Sequence, residues 1–185
     1  LPGLIALFVA SSIAVMASVG VVLLRDGVSS ESTVGLIMGA YAVGATVSSF
    51  GFATVLNRLG ARGTFALLFT TIGLGMLSIA LTHNAFLWTF LAVLFGAGMG
   101  LGAALYGLIT AHNSRPHERG VAMAVAGLYW APGMLIGPLV YGALAEAIGA
   151  ANAIITAAAF PLALALLPPL VFAAVPPHPA PESAA

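Results

Sequence analysis

Apolar residues run along this chain in long blocks, with little of the 3.6-residue or two-residue alternation that marks elements with one wet face. Breaking the chain at its charged, Asn and Pro clusters leaves six blocks, at residues 4–24, 33–56, 64–82, 86–110, 121–145 and 152–175. Each has about the 17 to 25 residues that a helix needs to cross the hydrocarbon of a bilayer. The connectors between them, residues 25–32, 57–63, 83–85, 111–120 and 146–151, are short and polar. The pattern predicts an all-α membrane protein: a bundle of six transmembrane helices over residues 1–175, then a disordered Pro-rich tail over residues 176–185.

Composition agrees with lipid as the main solvent. Five Lys+Arg and five Asp+Glu in 185 residues make 5% charged, too few to solvate the surface of a water-soluble domain. Hydrophobic residues reach 61%, and the mean hydropathy is +1.13. Net charge is zero and no basic run stands out, so no nucleic-acid partner is expected. Cysteine is absent, which excludes disulfides, thiolate metal sites and Cys nucleophiles. His83, His112, His117 and His178 fall in connectors or the tail, and no pair has i, i+4 spacing, so neither metal nor cofactor is expected. The chain opens at Leu1 with a block too long for a signal-peptide core and without a basic flank. That start reads as a boundary inside a longer protein.

The charges that remain set an orientation. Arg58 and Arg62 lie in the second connector and Arg115 and Arg119 in the fourth, on one face of the membrane; the opposite face has Arg25. Four against one makes the even connectors cytoplasmic, and an even number of spans then puts both termini in the cytoplasm. Arg25, Asp26, Glu31, Glu118 and Glu146 read as exposed interfacial or loop residues. No Asp, Glu, Lys, Arg or His falls in the middle of a block, where a charge costs roughly 2.5–3.5 kcal/mol and is kept for ion pathways or proton relays. No ion pathway or proton relay is therefore expected on the charges of this chain.

Glycine pairs four apart, Gly35 with Gly39, Gly96 with Gly100, Gly98 with Gly102 and Gly133 with Gly137, mark places where two helix backbones approach. Pro132 and Pro138 flank the last pair, and each removes a backbone donor, which predicts a kink near the middle of the fifth helix.

Two stretches repeat. Residues 53–62 read Ala53-Thr-Val-Leu-Asn57-Arg58-Leu-Gly60-Ala-Arg62, and residues 142–151 read Gly142-Ala-Leu-Ala-Glu146-Ala-Ile-Gly149-Ala-Ala. In both, a small residue precedes a polar one by four and Gly follows it by three. The copies lie three spans apart and so on opposite faces, the arrangement of a three-plus-three inverted repeat. At Asn57-Arg58-Leu59-Gly60-Ala61-Arg62 the sequence resembles the loop signature of the major facilitator superfamily, with Asn57 where that family prefers Asp and Ala53 where it prefers Gly. Residues 116–122 with Gly133-Met-Leu-Ile-Gly137-Pro138-Leu-Val-Tyr-Gly142 resemble the family's Gly-Pro-containing helix.

The resemblance implies a secondary transporter of the plasma (inner) membrane, working by alternating access and not an enzyme. The uncharged fourth block, the degenerate signature and the missing initiator Met point to its C-terminal half, partnered by an N-terminal six-helix half and by lipid. It also implies that the first, second, fourth and fifth helices line a central cavity while the third and sixth face lipid. Near the midplane of the lining helices stand Ser11, Ser12, Tyr41 and Ser48, with Tyr106 toward the cytoplasm and Tyr129 and Trp130 beside the expected kink. Together they describe a neutral, partly aromatic cavity suited to a small uncharged or lipophilic solute, exported if the drug-exporting branch is the guide. Asn57, Arg58, Gly60 and Arg62, with Glu146 in the second copy, read as loop and gate elements. An intramembrane serine protease also fits six spans, but there is no Gly-x-Ser-Gly and no His within a block. A non-catalytic scaffold or accessory subunit derived from a half-transporter is the remaining alternative.

Overall fold

The computed structural model describes residues 2–22, 30–82 and 84–167. The expected tail at 176–185, together with Arg25, Asp26, His83 and His178, lies outside them. α1 (Pro2–Val15) continues into a π-helical turn (Met16–Gly20), followed by α2 (Glu31–Leu81), α3 (Ala85–His112), α4 (Arg119–Gly127), α5 (Trp130–Ile148) and α6 (Ala150–Ala165). No strand occurs among the described residues. Glu31–Leu81, Ala85–His112 and Arg119–Ile148 are long and apolar enough to cross a membrane, and Ile5–Ser18 and Ala150–Ala165 are shorter apolar helices.

A straight α2 would run about 75 Å, more than twice the ~30 Å of hydrocarbon. Gly60, at φ 66° and ψ 178°, folds it back instead. Ile37 near its start and Ile79 near its end share one buried cluster with Trp88, Leu91 and Ala92, so residues 31–59 and 61–81 form an antiparallel hairpin. Gly149, at φ 88° and ψ 151°, separates α5 from α6 in the same way. These are the two positive-φ residues in the described chain. Both are glycine because a β-carbon is disfavoured in that backbone conformation. The shift in numbering that carries Asn57 onto Glu146 also carries Gly60 onto Gly149. The internal repeat is therefore built into the backbone as two joints of like conformation.

The hairpin ends are held by specific hydrogen bonds. Thr64, fully buried, donates to the carbonyl of Gly60 at 2.8 Å. Asn84 caps α3 by accepting from the amides of Phe86 and Leu87 at 2.9 and 3.2 Å. Trp88 is completely buried, and its Nε1 donates to the Ile79 carbonyl at 3.0 Å, satisfying one of the carbonyls left open at the end of α2.

The third segment, residues 61–81, supplies much of the core through Phe65, Leu68, Phe69, Ile72 and Met76, joined by Ala153, Ile154, Ala157 and Ala158 of α6. A β-carbon on Gly73 would meet Leu162 of α6, the residue that the repeat pairs with Gly73. The third and sixth helices thus pack against each other and into the core through their small residues, while Leu74 and Phe160 stay exposed on them. The large exposed apolar side chains include Val47, Phe50, Leu135 and Leu139, on residues 31–59 and α5.

The expected interruption of the fifth helix is present, one turn before Pro132. The helix breaks at Leu128–Tyr129, between α4 and α5, and α5 runs on through Pro132 and Pro138. Pro132 has no N–H to give the Leu128 carbonyl four residues back, and the helical run is broken there, while Pro138 leaves α5 unbroken. Gly133 and Gly137 are packing positions and not hinges: a β-carbon on Gly133 would strike the Leu7 carbonyl, and one on Gly137 would meet the Ser11 carbonyl.

Candidate functional site

Four elements leave a gap among themselves. A cavity of about 170 Å³ lies between α1 (Leu7, Phe8, Ser11, Ser12, Val15), Met76, α5 (Ile136, Gly137, Val140, Tyr141) and α6 (Ala157, Phe160, Pro161). Every one of these residues is uncharged. The Phe8 and Phe160 rings touch at a centroid distance of 4.7 Å and form an aromatic wall.

The polar groups in this cavity are hydroxyls. Ser11 and Ser12 each lie one turn above a carbonyl and donate to it, Ser11 Oγ to Leu7 O and Ser12 Oγ to Phe8 O, both at 2.9 Å. A serine in an apolar helix satisfies its proton this way, because no water is at hand. The Oγ lone pairs remain as acceptors. The Tyr141 hydroxyl makes no hydrogen bond within the described residues, so it is open both to give and to take one.

The other sequence-derived cavity residues are dispersed. Tyr41 packs on Phe95 at 5.6 Å and lines a separate, smaller space of about 50 Å³ with Ile13, Met16, Ile37 and Ile79. Ser48 donates to the Ala45 carbonyl at 3.1 Å and stands where a β-carbon on Gly100 would strike it, so it belongs to a helix crossing. Tyr106 donates its hydroxyl proton to the Met123 carbonyl at 3.2 Å, tying α3 to α4. The Tyr129 ring lies over Gly3, and Trp130 packs half-buried against the main core. Tyr141 was not singled out from the sequence. It lies one turn beyond Gly137, on the same helix face, and that spacing was the available signal.

Of the glycine pairs, Gly96 and Gly100 face residues 31–59 at Tyr41 and Ala45, Gly98 faces Leu68, Thr71 and Ile72, and Gly102 faces Val9. Gly35 and Gly39 meet nothing within 4 Å among the described residues, which corrects their assignment to a contact inside the bundle.

The charged residues stay at the periphery. Asn57, Arg58, Gly60, Arg62 and Glu146 are all exposed around the two glycine joints. Glu118 lies 3.4 Å from His117 in an exposed pair of the kind that contributes little to stability.

No curated protein matches the chain. The family description of the Major Facilitator Superfamily matches residues 3–185, a stretch that takes in both glycine joints and all the cavity residues. With two like joints, an all-helical apolar bundle and that match over nearly its full length, the chain belongs to the Major Facilitator Superfamily of membrane transport proteins.

Proposed function

We propose that this chain moves a small uncharged or lipophilic solute across the plasma (inner) membrane by alternating access, as the C-terminal half of an exporter. The carrying observation is the half-open cavity at Ser11, Ser12 and Tyr141, lined by hydroxyls and apolar groups and free of charge. An ion would lose its hydration there with no opposite charge to offset the loss.

Six membrane crossings with both termini cytoplasmic follow if residues 31–59 and 61–81, and likewise α5 and α6, cross as antiparallel pairs about Gly60 and Gly149. Partnership with an N-terminal six-helix half is supported by apolar faces left uncovered in this chain, at Val47, Phe50, Leu135 and Leu139. Asn57, Arg58 and Arg62 then stand at one joint and Glu146 at the other, positions from which contacts with the other half would latch one access state.

Flux from the protein reconstituted in liposomes tests this reading. Saturable movement of neutral aromatic or aliphatic solutes is expected, with charged analogues excluded. Absence of flux for every solute, together with stable binding of a partner protein, would favour the scaffold. Arg58→Ala is expected to slow transport severalfold while leaving the melting temperature unchanged, and wild-type flux in that variant removes the latch.

A further inference from the structure

We infer that the cavity between α1, α5 and α6 is a binding site for neutral single-ring or short-chain alcohols and phenols, recognised by one hydroxyl group held among Ser11, Ser12 and Tyr141. The inference rests on the transport reading for the cavity's use, so binding and flux are measured separately.

Size sets the first limit. The space is about 170 Å³, and a dry protein cavity of about 150 Å³ accepts benzene, so one ring fits, with the exposed Ile136, Val140 and Phe160 leaving one side open. The lining sets the second. Phe8, Phe160, Met76 and Val140 supply apolar and aromatic surface, and no ionisable acid or base other than the Tyr141 phenol is present, so a carboxylate or ammonium ligand finds no counter-charge.

Hydrogen bonding sets the third limit. Both serine protons are already given to the Leu7 and Phe8 carbonyls, so the serine oxygens are left to accept. A ligand using them must bring an O–H or N–H. Tyr141 donates as well as accepts, and its own proton has no acceptor in the described chain. A hydroxyl meets both demands with one atom, accepting from Tyr141 while donating to a serine oxygen. An ether accepts only, and a hydrocarbon does neither.

The test uses 4-fluorophenol as the probe with the chain in lipid nanodiscs, observed by fluorine NMR, which separates a bound resonance from probe dissolved in the bilayer. A saturable bound signal is expected. It is expected to weaken at least threefold in Tyr141→Phe and to vanish in Ala157→Phe, which fills the space from a buried position on α6. Should Ala157→Phe fail to fold, Val140→Phe narrows the cavity from an exposed wall position and is expected to weaken binding at least threefold. With the wild-type chain, 4-fluoroanisole and 4-fluorobenzoate are expected to bind at least tenfold more weakly than 4-fluorophenol. Equal binding of 4-fluoroanisole, or a signal that is non-saturable and the same in the wild type and the cavity-filling variants, would overturn the assignment. Saturable binding without flux leaves the site standing and removes the transport reading, while flux of neutral solutes without phenol binding does the reverse.

Discussion

The two halves of the repeat make corresponding helix crossings with opposite outcomes. In one, α3 packs tightly against both arms of the α2 hairpin. Gly44 brings residues 31–59 against the Val93 backbone, Gly96 and Gly100 meet the Tyr41 and Ala45 carbonyls, and Gly98 lies against Leu68, Thr71 and Ile72. In the other, the repeat places Leu7 and Ser11 of α1 at the positions of Gly96 and Gly100, with Gly133 and Gly137 of α5 opposite them. Here Val9 stands where Gly98 stands in the first crossing, and its side chain is taken up against α3 at Gly102. The positions of Leu68, Thr71 and Ile72 are held by Ala157, Phe160 and Pro161, and these line the cavity. One topology used twice thus gives a closed seam at α3 and an open one at α1, where the positions of Leu68, Thr71 and Ile72 are taken by cavity-lining residues.

The seams can be broken separately. Gly96→Leu drives a side chain into the Tyr41 carbonyl, which is backbone and cannot rotate away, so a loss above about 4 kcal/mol is expected, seen as failure to recover a folded, monodisperse bundle. Gly133→Leu also meets a carbonyl, at Leu7, but α5 borders a cavity and has room to shift. Its cost is expected to be smaller by at least about 1 kcal/mol, a difference read from paired thermal or denaturant unfolding. Equal loss in the two variants would mean that the open seam is as rigid as the closed one.

Next in size are the joints. Gly60→Ala and Gly149→Ala each force a β-carbon into a positive-φ, extended-ψ conformation that only glycine adopts readily, at about 1–3 kcal/mol. Neither site has a neighbour within 4 Å, so the two costs are expected to agree within about 0.5 kcal/mol. A large discrepancy would show that the joints are not equivalent.

The smallest effect is expected at Gly39, which faces open space on residues 31–59. Gly39→Ala is expected to stabilise this chain by up to about 1 kcal/mol through helix propensity alone. Destabilisation instead would place a close backbone neighbour over that face.

Much of this architecture was legible from residue patterns. The all-helical, apolar character read from the blocks is what the described residues show, because length in hydrocarbon constrains a helix more tightly than propensity does. The pairing of Gly60 with Gly149 was visible as a repeated spacing, and its meaning as two positive-φ joints needed coordinates. The break in the fifth helix was legible from Pro132, which has no N–H for the Leu128 carbonyl one turn back, whereas Pro138 leaves α5 continuous. The cavity was half legible. Ser11 and Ser12 stand out as polar residues in an apolar block, but the space beside them is bounded by three further segments, at Met76, Tyr141 and Phe160, which no single segment reveals. Tyr41, Ser48 and Tyr106 have the same chemistry as the cavity residues and are spent instead on packing or on ties between helices.

Because the chain has no cysteine, single labels can be introduced cleanly, and this gives the most direct test of the inverted repeat. Asn57→Cys and Glu146→Cys, both exposed beside their joints, are treated with a membrane-impermeant maleimide in sealed right-side-out vesicles. Labelling of Glu146→Cys at once, and of Asn57→Cys only after the vesicles are opened, is the expected result. Labelling of both from the same side contradicts the repeat, and with it the comparison of the two seams.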